Sequence, residues 1–253
     1  MDWFTIVKMN NLFEKTIGRI LNSMGYCLRP INQFFSFDAL LNSHIRRNEN
    51  LFFVQLGACD GVTFDPLYRF VTNNHNNIKG IVVEPVSEYF KELQYNYRKY
   101  PNIITVQAAI HNKEEEMTIY RVDPLKMNGL EPWAKCIASF NENHHKLSGT
   151  SSNIIIQEKV QCITLDNLLE KNQVSQLDLL QIDTEGYDAE IIMNINFNIS
   201  KPKILRFEHG LPDKIMSKEV FLQVINKLHK HNYEIAVEFY DATAYQHDVI
   251  LSS

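Results

Sequence analysis

From residue 51 onward, short apolar runs alternate with segments whose apolar positions recur at helical spacing. "LFFVQLG" (51–57) is an apolar run ending in glycine, the pattern of a strand buried on both faces. "FDPLYRFVTNN" (64–74) reads as the helix that follows, with Pro66 in its first turn. "GIVVEP" (80–85) is a second strand, stopped by Pro85, which has no N–H to give a ladder. Val86, Tyr89, Phe90, Leu93 and Tyr97 share one helix face. "NIITVQAAI" (102–110) predicts a third strand, and the alternating "EMTIYRV" (116–122) a further one.

Residues 123–153 fit neither period. They are rich in Asn, Ser, His and Gly and predict a functional or flexible loop. Strand character returns in "IIIQEKVQCITL" (154–165), followed by a short helix at "DNLLEKN" (166–172). "LDLLQID" (177–183) is a strand, "YDAEIIMNI" (187–195) a helix and "PKILRFEH" (202–209) a strand. Phe221, Val224, Ile225 and Leu228 mark a helix face. "YEIAVEF" (233–239) and "AYQHDVIL" (244–251) close the chain as two strands, readable as an antiparallel hairpin.

This alternation predicts an α/β fold, a mostly parallel sheet with helices on both faces. Residues 1–48 precede it as an N-terminal helical extension, leaving 49–253 as the main domain. Trp3, Phe4, Ile6, Val7, Leu12, Phe13, Ile17, Ile20 and Leu21 are interrupted by Lys8, Glu14, Lys15 and Arg19. That series is too polar to span a bilayer and lacks a clean signal-peptide core. It suits an amphipathic helix packed on its own domain or on a second subunit, as in a homodimer. Peripheral membrane contact is the lesser reading.

Composition narrows the class. With 253 residues, 45% hydrophobic and 22% charged, the chain can bury a core unaided. Its net charge of −5 builds no broad positive field, so no nucleic-acid partner is expected. Cys27, Cys59, Cys136 and Cys162 form no C-x-x-C pair, which predicts reduced thiols and a cytoplasmic protein.

Parallel sheets bind ligands at the carboxyl ends of their strands. Gly57 and Gly61 there bracket Ala58, Cys59 and Asp60, a G-x-x-x-G turn without the third glycine of the dinucleotide fingerprint. Glu84 ends the second strand, placed to accept hydrogen bonds from both hydroxyls of a ribose. Ala108 and Ala109 end the third and leave room for a flat base. Asp183 and Glu185 end the "LDLLQID" strand, and Glu208 and His209 the next. Carboxylates at the tip of a buried strand are costly unless paired or used.

Taken together, "FFVQLGACDG", "VVEP", "ITLDNLL" and "LDLLQIDTEGYDAEII" resemble the FkbM family of S-adenosylmethionine-dependent methyltransferases, over residues 51 to about 210. The resemblance implies the class I methyltransferase (Rossmann-like) fold: a seven-stranded sheet whose last strand is antiparallel. It implies a cofactor site built from Gln55, Gly57, Ala58, Asp60, Gly61, Glu84, Pro85, Ala108, Ala109 and Asp183. Cys59 stands where the family often carries Asn. An oxygen acceptor is implied, on a sugar, glycan or other small molecule.

A hydroxyl is a poor nucleophile, so a base would help. His209 and Asp183 are candidates, with Glu185 beside them, and His144 and His145 reach in from a lid in the irregular segment. Mg²⁺ held by Asp183, Glu185 and Asp188 or Glu208 is the remaining option, although no metal ligand is assigned. Two other readings stay open: a nucleotide-dependent oxidoreductase, and a non-catalytic interaction module on the same fold.

Overall fold

The computed structural model describes residues 36–246, apart from 49, 114 and 128, and residue 249. The reading of residues 1–35 as helical lies outside the described residues. Helix α1 (Phe37–Asn48) leads into β1 (Leu51–Leu56), α2 (Tyr68–Asn73), β2 (Ile78–Val83), α3 (Ser87–Tyr97) and β3 (Ile103–Val106). Then follow β4 (Ala109–Ile110), β5 (Glu116–Val122), β6 (Ala138–Ser139) and β7 (Ile155–Ile163). The chain continues through α4 (Leu165–Lys171), β8 (Leu179–Ile182), α5 (Asp188–Asn194), β9 (Ile204–Glu208) and α6 (Lys218–Lys230). It ends with β10 (Tyr233–Val237) and β11 (Asp241–Gln246).

Seven strands form one sheet in the order β10-β11-β9-β8-β1-β2-β3. All neighbours are parallel except β11, which runs antiparallel to both β10 and β9. The closing hairpin is therefore present. Its second strand begins at Asp241 rather than Ala244, because polar residues are satisfied inside it. Thr243 is fully buried and accepts a hydrogen bond from Arg206 of β9, which also pairs with Asp241. The central strands carry the core: Phe53, Leu56, Ile81, Leu180, Ile182, Leu205 and Phe207 are all sealed from solvent. Each such side chain contributes about 1.5–3 kcal/mol of burial.

A second sheet, β4-β7-β5-β6, lies outside the sequence expectation. The single strand expected over 102–110 is two. Val106 is the last partner of Val83, whereas Ala109 pairs with Cys162 in the second sheet, so the chain changes sheets at Gln107. Helix α2 also starts later than its pattern suggests. The Asp65 carboxylate accepts the N–H groups of Leu67 (2.6 Å) and Tyr68 (3.2 Å), so Pro66 sits in the turn before the helix.

Helix α1 packs Leu40 and Leu41 inward and meets the sheet through a polar contact. His44 lies 3.3 Å from Asp178, whose other oxygen accepts the N–H of Phe52 at 2.9 Å.

Candidate active site

The chain leaves β1 for β2 on one side and returns through β8 on the other, so the strand order reverses between β1 and β8. Such a switch point opens a crevice at the strand ends. A cavity of about 1080 Å³, counting the part open to solvent, lies there. Its walls run from Asp183 after β8, past Gly57 and Glu84 after β1 and β2, to Ala108 and Ala109 beyond β3. Three strand steps of about 4.8 Å make this roughly 14 Å across.

Gly57 is required where it stands. Its φ is +77°, and an added Cβ would fall 1.8 Å from the carbonyl oxygen of Asp183. Its missing side chain therefore lets the backbones after β1 and β8 touch at the cavity floor. Glu84 is 4% exposed, and its carboxylate accepts the N–H groups of Cys59 (2.9 Å) and Val86 (2.8 Å). Burial raises its pKa to about 8 against those two bonds. In its ionised form each oxygen keeps a further lone pair for a ligand hydroxyl.

Cys59 and Cys136 form a disulfide, with Cα atoms 5.6 Å apart. This corrects the expectation of reduced thiols for that pair. The bond joins the glycine turn to the irregular segment across 77 residues, a separation with no local signature. Trp133, Cys136, Ala138 and Phe140 of that segment become one wall of the cavity.

Two residues expected at the cofactor do other work. Asp60 does not line the cavity. Its carboxylate accepts from Val62 N–H, from Thr63 N–H and hydroxyl, and from Lys135 at 2.9 Å. Burial opposes its charge, but these bonds prevail and hold its pKa at about 2. Gly61 is absent from the cavity too; a Cβ there would meet Leu93 at 2.4 Å and Tyr97 at 2.7 Å, so it seats the turn on α3.

His209 likewise stays away from the cavity. It is 0% exposed, its Nδ1 accepts the Leu211 N–H at 3.1 Å, and its Nε2 faces the Glu238 carbonyl. Burial lowers its pKa to about 4, so it is a neutral structural ring.

The acids after β8 separate into roles. Asp188 is buried and latches the turn: it accepts from the Thr184 N–H (3.0 Å) and hydroxyl (2.6 Å), and from the Glu208 N–H (3.0 Å). Asp183 lines the cavity and is exposed there; the protein packed around it, then the neighbouring Glu185 and Asp188 carboxyls, raise its pKa above the usual range. Burial, then the neighbouring Asp183, Glu185 and Asp188, raise Glu208 to about 10. Glu185 also lines the cavity, in the left-handed region at φ +52°. Its carboxylate meets His144 Nε2 at 2.7 Å, and its carbonyl accepts from the Ser139 hydroxyl at 2.6 Å. Gly186 follows with φ +97°, a left-handed backbone that favours glycine. His145 instead pairs with Ser152 at 2.8 Å. Among the described residues no group of three or more His, Cys, Asp or Glu side chains is arranged to hold a metal.

The structure thus brings Gln55, Gly57, Ala58, Glu84, Pro85, Ala108, Ala109, Asp183 and Glu185 to one cavity. It adds Phe64, Asp65, Trp133, Phe140, Gln181 and Tyr187, which sequence reasoning missed. The one available signal was a polar residue, Gln181, inside the otherwise apolar run of β8.

A family model, the methyltransferase FkbM domain, matches residues 55–235. The chain belongs to the FkbM methyltransferase family. The matched span contains the glycine turn, Glu84, the irregular segment and the acids after β8. No curated protein matches the chain. Solved structures give distant likenesses. A precorrin-6y C5,15-methyltransferase from Geobacter metallireducens GS-15 is 12% identical, with 87% of this chain and 93% of that one covered and a TM-score of 0.41. TrmK from M. capricolum, solved with S-adenosyl-homocysteine, is 12% identical over 85% and 70%, with a TM-score of 0.38. A methyltransferase from Pyrococcus furiosus is 10% identical over 96% and 98%, with a TM-score of 0.39. Among the described residues, no helix of this FkbM-family chain is long and apolar enough to cross a membrane.

Proposed function

We propose that this protein transfers a methyl group from S-adenosylmethionine to a hydroxyl oxygen of a sugar or glycan. The observation that carries the reading is the cavity at the switch point, floored by Gly57 and walled by Glu84 and Asp183, in a chain of a methyltransferase family. The residues fit the cofactor. Gly57 lets the turn after β1 close against the strand end of β8 at the cavity floor, and Glu84 stands at the end of β2 with acceptor capacity for ribose hydroxyls. Pro85, Ala108 and Ala109 border the base end. When bound, the cofactor supplies an electrophilic methyl group on a sulfonium.

The acids divide the remaining work. Asp183 stands at the cavity among other carboxyls, whose charge favours its protonated, hydrogen-bond-donating form. Glu185, held by His144 and opening on the cavity, is the group that takes the acceptor's proton. Phe64 (71% exposed) and Trp133 (41% exposed) stand at the cavity wall with bare aromatic faces, which suits stacking against a sugar ring.

The test is label transfer from methyl-labelled cofactor to a panel of mono- and oligosaccharides, with Glu185→Gln as the control variant. Transfer to a sugar oxygen that falls about a hundredfold in the variant supports the reading. A folded protein that binds the cofactor and methylates a nitrogen or carbon acceptor instead would remove the hydroxyl from it.

A further inference from the structure

The loop after β1 carries a residue that folding alone would not choose. The N–H of Asp65 donates back to the carbonyl of Val62 at 3.4 Å, closing a four-residue turn over 62–65. The third residue of that turn is Phe64, at φ +56°. A turn whose third residue has a positive φ normally carries glycine or asparagine there, because a Cβ is strained in that region. Phe64 takes on this strain and gains no burial in return: its ring is mostly exposed, at the border of the cavity. Stability gives no reason for a phenylalanine at this position.

Its flanks hold it there. On one side the buried Asp60 accepts the N–H groups of Val62 (2.9 Å) and Thr63 (2.7 Å) and the Thr63 hydroxyl (2.7 Å). On the other, Asp65 accepts the N–H groups of Leu67 and Tyr68. With both neighbours fixed, Phe64 cannot relax to a negative φ without breaking those bonds, and strain held in this way gathers at ligand clamps. The same Asp60 carboxylate accepts from Lys135, two residues beyond Trp133, whose ring is also part exposed on the cavity. One buried carboxylate thus anchors both segments that present a bare ring. Apolar surface kept open beside a cavity marks a ligand groove.

Resting on the sugar-hydroxyl reading above, we infer that Phe64 is the specificity-determining residue for the acceptor, and that it selects a cyclic sugar over an open-chain polyol. A pyranose lays several C–H groups on one face, and these pack flat against the electron-rich face of an aromatic ring. An open-chain polyol brings the same hydroxyls to Glu185 and no such face. Gly57 and Glu84, the groups proposed for the cofactor, stand outside the 62–65 turn, so acceptor and cofactor binding are separable by mutation.

The experiment measures methyl transfer from labelled S-adenosylmethionine to a panel of methyl pyranosides and disaccharides, set against the alditols glucitol, galactitol and mannitol. Phe64→Gly and Phe64→Asn remove the ring and suit a positive φ, whereas Phe64→Tyr keeps the ring. Melting temperatures and titrations with S-adenosylhomocysteine accompany the kinetics. The unmodified protein should prefer a cyclic acceptor. Phe64→Gly and Phe64→Asn should raise the KM of that acceptor about tenfold or more, with S-adenosylhomocysteine affinity unchanged and melting temperatures no lower. Phe64→Tyr should behave as the unmodified protein. Alditols methylated as well as pyranosides, an unchanged KM in the two ringless variants, an equal loss of S-adenosylhomocysteine binding, or melting well below the unmodified protein each overturn the assignment and leave the cofactor reading standing. If the folded, unmodified protein binds S-adenosylhomocysteine yet methylates no saccharide, the sugar reading itself fails and this assignment falls with it.

Discussion

Replacing Cys136 with serine removes the one covalent tie between the glycine turn and the irregular wall of the cavity. The cross-link closes a loop of 77 residues. In the chain-entropy treatment that closure restricts the unfolded chain by about 4.5 kcal/mol at 25 °C. Domains are commonly stable by about 5–15 kcal/mol, so the variant should lose a large share of its stability. Lys135 remains to hold the wall through Asp60 and Glu92, so the folded state should persist with a lower midpoint. The assay is guanidinium unfolding of the oxidised protein, the dithiothreitol-reduced protein and Cys136→Ser. The latter two should coincide, both well below the first. If all three share one midpoint, the bond contributes nothing and the argument from loop closure is refuted.

Gly57→Ala should fail to pack. A left-handed residue with a Cβ costs about 1–2 kcal/mol by itself. The 1.8 Å approach to the Asp183 carbonyl adds a clash between two backbones, so a melting temperature equal to that of the unmodified protein would contradict the geometry. Glu84→Gln should flatten a pH slope. The unfolded glutamate ionises near 4.5 and the folded one near 8, so the folded state loses up to about 1.4 kcal/mol per pH unit as pH rises between them. Denaturant stabilities at pH 5 and pH 8 should shift in favour of the glutamine variant at the higher pH; parallel curves would count against a buried, protonated Glu84. His144→Ala should release the segment that His144 clasps to Glu185, speeding tryptic cleavage after the exposed Lys146. An unchanged cleavage rate would show that the clasp does not hold the segment.

What the sequence reveals and what it hides follow from range. The apolar runs of β1, β2, β8 and β9 announce buried strands, because burial on both faces leaves little room for polar residues. Glycines and acids placed just after such runs locate the cavity, since strand ends are where an α/β sheet binds. The misses are non-local. Cys59 finds Cys136 only through the fold. Asp60 and His209 sit at the right strand ends, but their side chains are claimed by Lys135 and by backbone groups. Asp65 reads as a residue before a helix, and only the packed sheet sets it beside Gln55 and Gln181. The strand at Asp241 is missed because the partner that satisfies its polar residues, Arg206, comes from β9.

The central claim is that the cavity at the ends of β8, β1 and β2 holds S-adenosylmethionine, with Glu84 on its ribose. Calorimetry with S-adenosylhomocysteine on the unmodified protein and on a folded Glu84→Ala variant tests it most directly. The account predicts saturable one-to-one binding by the first and none by the second. A folded, unmodified protein that does not bind, or a variant that binds equally well, would contradict it.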